Sequence, residues 1–173
     1  MDMDVAGLDT PVGPLSVQVS DAGLARIGWV RDGRPPVSGT PRDVAPVLEQ
    51  LRAYFDGELR EFDLPLDWTF ARGTRLAVLQ ALYKGVAYGE SVTYGELAER
   101  SGTGAPARAI GGIMGSNPLP IVVPCHRVLA HDGLGGYSGG NGATGQDGLE
   151  VKRWLLTMEG VLPPTLDWDP AGL

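Results

Sequence analysis

The chain of 173 residues has one cysteine, two histidines and no surplus of basic residues. A single cysteine excludes an internal disulfide, and with two histidines beside it the chain cannot build a four-ligand Cys/His zinc cage. No stretch reaches the ~18 consecutive apolar residues of a membrane span, and MDMDVAGLDT at the N-terminus lacks the basic flank and apolar core of a signal peptide. A cytoplasmic protein without membrane association is expected. Fourteen Lys and Arg stand against 21 Asp and Glu, a formal net charge of −7. Such a field on its face repels nucleic acid. The repulsion is absent locally, because Arg100, Arg108 and Arg127 balance Glu96, Glu99 and Asp132 between Ser91 and Gly140. At this length folding buries roughly 70% of the unfolded chain's surface, so no metal or disulfide staple is required.

What is present divides in two. Alternation at Leu15, Val17 and Val19, a turn at Asp21-Ala22-Gly23 and the residues Ile27, Trp29 and Val30 predict a hairpin. RDGRPPVSGTPRD reads as a surface loop, after which Val44, Val47, Leu48, Leu51, Tyr54 and Phe55 repeat with helical period, with Gly57 at the C-terminal cap. Phe62, Leu64, Leu66 and Trp68 alternate as a half-buried strand would. These elements form a small α+β unit over residues 1–70, and 71–173 form a second, mostly helical one.

The second unit opens with a helix carrying Leu76, Leu79, Leu82 and Tyr83 on one face, with Thr74 as its expected N-cap and Gly85 as its end. Thr93 and Glu96 have capping-box spacing at the start of TYGELAERSG. Gly102 and Gly104 then lead into APARAIGGIMGSNP, where Pro106 opens a helix with Ile110, Ile113 and Met114 on one face and Asn117-Pro118 stops it. Helix, glycine turn, helix is the helix-turn-helix pattern, which a plain helical hairpin shares. LPIVVPCHRVL, bounded by prolines, is expected to be a buried extended segment. Eight of the 17 residues from Asp132 to Gly148 are glycine, so that stretch is expected to be a loop. A closing helix over 149–158 places Val151, Trp154, Leu155 and Met158 on one face and ends at Gly160.

The lone thiol sits in IVVPCHRVLA. A cysteine of this kind is ordinarily a small buried hydrophobe. Here Pro124 fixes the backbone before the sulfur, His126 is an adjacent base acting directly or through a water, and Arg127 adds positive charge that favours thiolate. A base needs an orienting group, and Glu159 is the candidate carboxylate. His131, in a His-Asp-Gly turn, is expected to be a solvated loop residue.

PCHRV, the NP pair before it, TYGELA, ARAIGG, GGYSGG and KRWLLTMEG, in this order, resemble the O6-alkylguanine-DNA alkyltransferases. TPVGPLSV and YFDGELREFDLPLD resemble the small leading domain of that family, a part that carries no chemistry in this reading. The resemblance implies a ribonuclease H-like α/β domain over 1–70 and a winged-helix-like domain with a helix-turn-helix over 71–173. It implies a monomer that binds double-stranded DNA containing O6-alkylguanine, flips the base out and moves the alkyl group onto Cys125 in a single, irreversible turnover, without cofactor or metal. It assigns His126, Glu159 and Asn117 to the reaction and Arg108 to the gap left by the base. Ala107, Gly111 and Gly112 then form a small-residue face on DNA, for which tight helix packing is the equal alternative reading. Tyr94 becomes a hydroxyl donor to the base, the Cys125 and Val128 carbonyls meet its amino group, Tyr137 closes the pocket, and the Ser138 backbone N–H meets O6.

NGATGQDG, residues 141–148, is an insertion relative to that pattern, expected to be a flap beside the pocket. Zinc ligands that some relatives place in the leading domain are missing, and Gly115 stands where some have a basic residue, so weak, transient DNA contact is expected. Two other functions compete: a lesion sensor that transfers nothing, and a cysteine hydrolase using Cys125 and His126.

Overall fold

The structure is a computed structural model that describes residues 3–30, 41–137 and 145–173. Strands β1 (Asp4–Leu8), β2 (Leu15–Ser20) and β3 (Gly23–Trp29) form an antiparallel sheet in that order. The hairpin lies at the expected turn, with Ser20 paired to Gly23 and Leu15 to Trp29. Gly23 is required there: its φ is +130°, and a Cβ would lie 2.3 Å from the Pro65 carbonyl oxygen. Strand β1 carries no sequence signal strong enough to have been expected.

Helix α1 (Pro41–Phe55) lays Val44, Val47, Leu51 and Tyr54 into the core against Leu15, Val17 and Val19. Gly57, at φ +76°, ends the helix region as its position predicts. The loop expected at 31–40 lies outside the described residues. Phe62 to Trp68 is not the predicted strand. Its alternating half-burial is present, yet it pairs only through one bridge, Leu24 to Leu66, before Trp68–Phe70 turn into a 3-10 helix capped by Asp67. Pro65 lacks the N–H that a continuing ladder needs.

Helix α2 (Gly73–Gly85) buries Val78, Leu79 and Leu82. Its N-cap position is Arg72, without a side-chain bond, and the chain enters the helix through Gly73 at φ +54°, so Thr74 is not the cap it is expected to be. Strand β4 (Val92–Thr93) leads directly into α3 (Tyr94–Ser101), where the Thr93 hydroxyl accepts the Glu96 N–H at 3.1 Å. Gly102 and Gly104, both at positive φ, turn the chain into α4 (Ala107–Gly115), with Pro106 at the N-cap and Ile110 and Met114 buried.

From Leu119 to Val128 every residue is buried, but the segment is coiled rather than extended. Turns run through 118–123, Ile121 sits at φ +76°, and Cys125–Arg127 form one 3-10 turn before β5 (Val128–Leu129). Pro118, Pro120 and Pro124 remove the donors a strand would use. Helix α5 (Gly145–Met158) begins earlier than 149, so residues 145–148 are helical rather than loop. Val151, Trp154 and Leu155 are buried on its inner face, and Gly160 at φ +82° follows it.

The chain is thus an α+β fold: a small N-terminal sheet domain with one crossing helix, and a helical C-terminal domain. Among the described residues no helix is long and apolar enough to cross a membrane.

Candidate active site

Three local devices place the thiol. Asn117 accepts the Leu119 N–H at 3.0 Å and donates to the Val123 carbonyl at 2.9 Å, closing the turn that carries Ile121 in its strained conformation. Val123 N–H donates to Leu119 and Cys125 N–H to Val123, both at 2.8 Å. Strand β5 then pairs in parallel with β4, Val92 to Val128 and Thr93 to Leu129. That pairing draws Tyr94, the first residue of α3, toward the segment that follows the thiol.

Cys125 is 3% exposed. Burial pushes its thiol up to about 11, although the Asn117 amide, the Lys152 ammonium and the backbone N–H groups of Cys125 and His126 pull the other way. The resting sulfur is therefore protonated near neutral pH and needs a base.

His126, the next residue, is the candidate for that base. Its Nε2 lies 2.7 Å from Glu159 Oε2, and its Nδ1 has no hydrogen-bond partner among the described residues. Burial lowers its pKa despite the opposing pull of Glu159, so the ring is neutral near pH 7. Burial alone would raise the Glu159 carboxyl, but His126 and Arg127 more than offset it and hold the carboxyl well below the usual range. With the Nε2 proton on the Glu159 side, Nδ1 presents a lone pair, the tautomer a proton acceptor requires.

Arg127 does not act on the sulfur as its sequence position predicts. Its Nε and Nη2 donate to Glu159 Oε1 and Oε2 at 2.8 and 3.1 Å, and its Nη1 donates to the Val86 carbonyl at 2.8 Å. The guanidinium is the carboxylate's countercharge. The cation that favours thiolate is Lys152, fully buried on α5, whose Nζ reaches the carbonyls of Val128, Leu134 and Gly136 at 2.7, 2.5 and 2.9 Å. Burial lowers its own pKa to about 8.

Two buried polar side chains of the site were thus missed from sequence. Lys152 carried a signal, since Leu155 and Leu156 at i+3 and i+4 place it on an apolar face. Tyr54 carried none beyond being a tyrosine on the core face of α1. Its hydroxyl donates to Glu159 Oε2 at 2.5 Å, so the leading domain does reach the site.

The remaining site residues distribute as follows. Tyr94 is half-buried, its oxygen receiving the Gly136 N–H while burial raises its pKa. Tyr137 is buried, with no partner for its hydroxyl among the described residues. The Val128 carbonyl accepts from Lys152 Nζ and the Cys125 carbonyl from the Val128 N–H. Ser138 lies outside the described residues, as do residues 141–144 of the flap expected over 141–148. A groove of about 500 Å³ is lined by Thr93, Tyr94, Ala107, Arg108 and Gly111 with exposed His131 at its edge. Gly112 is exposed beside it. A Cβ on Gly111 or Gly112 would meet nothing within 4 Å, so tight packing inside this fold does not explain these glycines.

Fold and site together define an α+β protein with a small sheet domain, a helical domain, one buried thiol and a buried His126–Glu159 pair that starts at the next residue. Comparison with known proteins gives the family. Residues 5–68 match the 6-O-methylguanine DNA methyltransferase ribonuclease-like domain and 74–161 the DNA-binding domain of the same proteins. The chain is 41% identical to the methylated-DNA–protein-cysteine methyltransferase of Mycolicibacterium paratuberculosis over 88% of its own length and 89% of that protein's. It is 37% identical to the Rattus norvegicus protein of that name, covering 89% and 80% of the two chains. The crystal structure of Mycobacterium tuberculosis OGT in complex with DNA superposes with a TM-score of 0.73 at 36% identity, covering 92% of this chain and 94% of that one. The chain belongs to the 6-O-methylguanine DNA methyltransferase family.

Proposed function

We propose that this protein repairs DNA by taking an alkyl group from O6 of guanine onto Cys125, once per molecule. The observation that carries the reading is the buried pair His126 and Glu159, 2.7 Å apart, with the free Nδ1 on the residue next to the only thiol. A protonated sulfur beside a neutral imidazole is the resting state an activated nucleophile starts from.

In the reaction the sulfur–carbon bond forms as the carbon–O6 bond breaks. The thiol proton passes to His126 Nδ1, directly or through one water, and Glu159 with Arg127 balances the imidazolium. Guanine leaves as a neutral base after taking up one proton, so the net change is thiol plus alkylguanine to thioether plus guanine. Charge developing on the purine meets the Tyr94 hydroxyl and the Ser138 N–H, while the Cys125 and Val128 carbonyls meet the amino group. Tyr137 closes the pocket wall. Asn117 acts by holding the turn and donating to the sulfur.

The lesion must leave the stack to reach a sulfur this deep. Helix α4 presents only Arg108 among Ala107, Ala109, Gly111 and Gly112, a face without acid that lets a nucleic-acid backbone approach closely. Arg108 fills the place of the extruded base in double-stranded DNA. We further propose a cytoplasmic monomer in which residues 1–70 and 71–173 are the structural and the chemical domains.

The test is the intact mass after incubation with an O6-methylguanine duplex. One added methyl on Cys125, with no further turnover, is expected. No addition at all rules out transfer in favour of a sensor, and repeated turnover by sub-stoichiometric protein rules out the single-use reaction.

A further inference from the structure

We propose that Tyr54, delivered by α1 of the leading domain, is a positioning residue of the transfer reaction: its hydroxyl holds the same Glu159 oxygen that holds His126. The inference rests on the alkyl-transfer reading of the site and assigns part of that chemistry to the domain without the nucleophile.

The geometry is specific. Glu159 Oε2 accepts from Tyr54 at 2.5 Å, from His126 at 2.7 Å and from Arg127 Nη2 at 3.1 Å, whereas Oε1 accepts from Arg127 Nε at 2.8 Å. Tyr54 and His126 are wholly buried and Glu159 is 4% exposed, so no solvent competes for these bonds. The Tyr54 ring is immobilised by Phe62, at a centroid distance of 5.4 Å, and by Tyr88 edge-on at 6.2 Å. A tyrosine kept only for packing needs no partner at the carboxylate's more crowded oxygen; phenylalanine would fill the same space.

The consequence is electrostatic as well as steric. A phenol donor draws charge from Oε2 and makes it a weaker acceptor for the His126 Nε2–H. His126 then stays less basic than an unshared carboxylate would make it. The other groups facing this pair are Arg127 and Cys125 from the 3-10 turn, Lys152 from α5, Tyr137 from the loop before it and Tyr88 from the turn after α2, with Arg60 over the Tyr88 ring. Of these, only Tyr54 can be altered at one atom on Oε2 while the guanidinium, ammonium and imidazole stay in place.

The experiment is the single-turnover transfer rate against pH for the full chain on an O6-methylguanine duplex, with Tyr54→Phe and with 3-fluorotyrosine incorporated at position 54. Loss of the donor makes His126 more basic and moves the acid limb up by about half a unit to one unit; the stronger fluorophenol donor moves it down. A Phe62→Leu variant, which loosens the ring without touching the hydroxyl, is expected to lower the unfolding midpoint and leave the limb where it is. Superimposable profiles for all three forms of residue 54, or displacement of both altered forms in one direction, overturn the proposal. Should Tyr54→Phe not fold, the fluorinated protein alone decides it, since ring and hydroxyl are both retained: a limb that stays in place overturns the proposal. Absence of transfer by the wild-type chain instead overturns the function on which the proposal rests, and the two failures are told apart by that control.

Discussion

Lys152 Nζ lies 2.7 Å from the Val128 carbonyl oxygen, and the same ammonium spans to the Leu134 and Gly136 carbonyls. One buried cation thereby ties α5 to the strand after the thiol and to the loop that borders Tyr94. The three acceptors are fixed by one side chain, so removing it strands them together.

Lys152→Met keeps most of the volume and deletes all three bonds. Each unsatisfied buried acceptor costs about 1–3 kcal/mol, partly offset by relief of the buried charge, so a net loss on the order of 2–4 kcal/mol is expected. Equilibrium urea unfolding measures it, and an unchanged midpoint would show that the ammonium contributes nothing to folding.

His126 and Glu159 both have folded-state pKa values below their unfolded ones. Their contribution to stability is fully present above the unfolded values, about 6.5 and 4.3, and is lost as pH falls through the folded ones. Lys152, depressed to about 8, adds stability as pH rises from there, while Cys125, raised to about 11, loses it over nearly the same alkaline range. The urea midpoint is therefore expected to be nearly flat on the alkaline side and to drop below about pH 6.5. A midpoint constant from about pH 7 to pH 5 would show that the folded protein does not hold His126 neutral.

Glu159→Gln removes the countercharge of Arg127 and the acceptor of the His126 proton. Transfer is expected to slow by on the order of 100-fold or more, with a stability loss of about 3–5 kcal/mol from the stranded guanidinium. Single-turnover rates at matched fraction folded separate the two effects, and a rate within about twofold of wild type would remove Glu159 from the relay.

Gly111 and Gly112 are exposed and a Cβ on either meets open space. Alanine at either position is expected to stabilise the free protein by about 0.5–1 kcal/mol, through helix propensity. Duplex affinity is expected to fall, because the added methyl stands between α4 and the nucleic acid. Titration of a labelled duplex checks this; equal affinity would move the DNA contact off this face.

Much of this was legible in the residues. Helical periods placed α1, α2 and α4, and Thr93 with Glu96 marked the start of α3. Cys125 next to His126 marked a candidate nucleophile and base, and the ordered motifs around the pair, not the pair itself, carried the family resemblance. The misread segments share a cause. Residues 62–68 alternate like a strand, yet whether an alternating segment finds a neighbour to pair with depends on the sheet edge beside it, and Pro65 allows only one bridge. Residues 119–124 are apolar enough for a strand, but Asn117 closes them into a turn by bonds at both of its ends.

Local periodicity and capping are properties of neighbours in the chain, so the sequence alone determined most of the helices, the hairpin and the placement of the lone thiol beside a histidine. Partnership of buried charges is decided by the fold. Tyr54 and Glu159 are 105 positions apart, and Lys152 meets carbonyls 16 to 24 residues before it. In water each of these groups would be satisfied by solvent. Only packing that excludes solvent forces them on one another, which is why Arg127 binds a carboxylate, Lys152 gathers three carbonyls and the leading domain reaches the site.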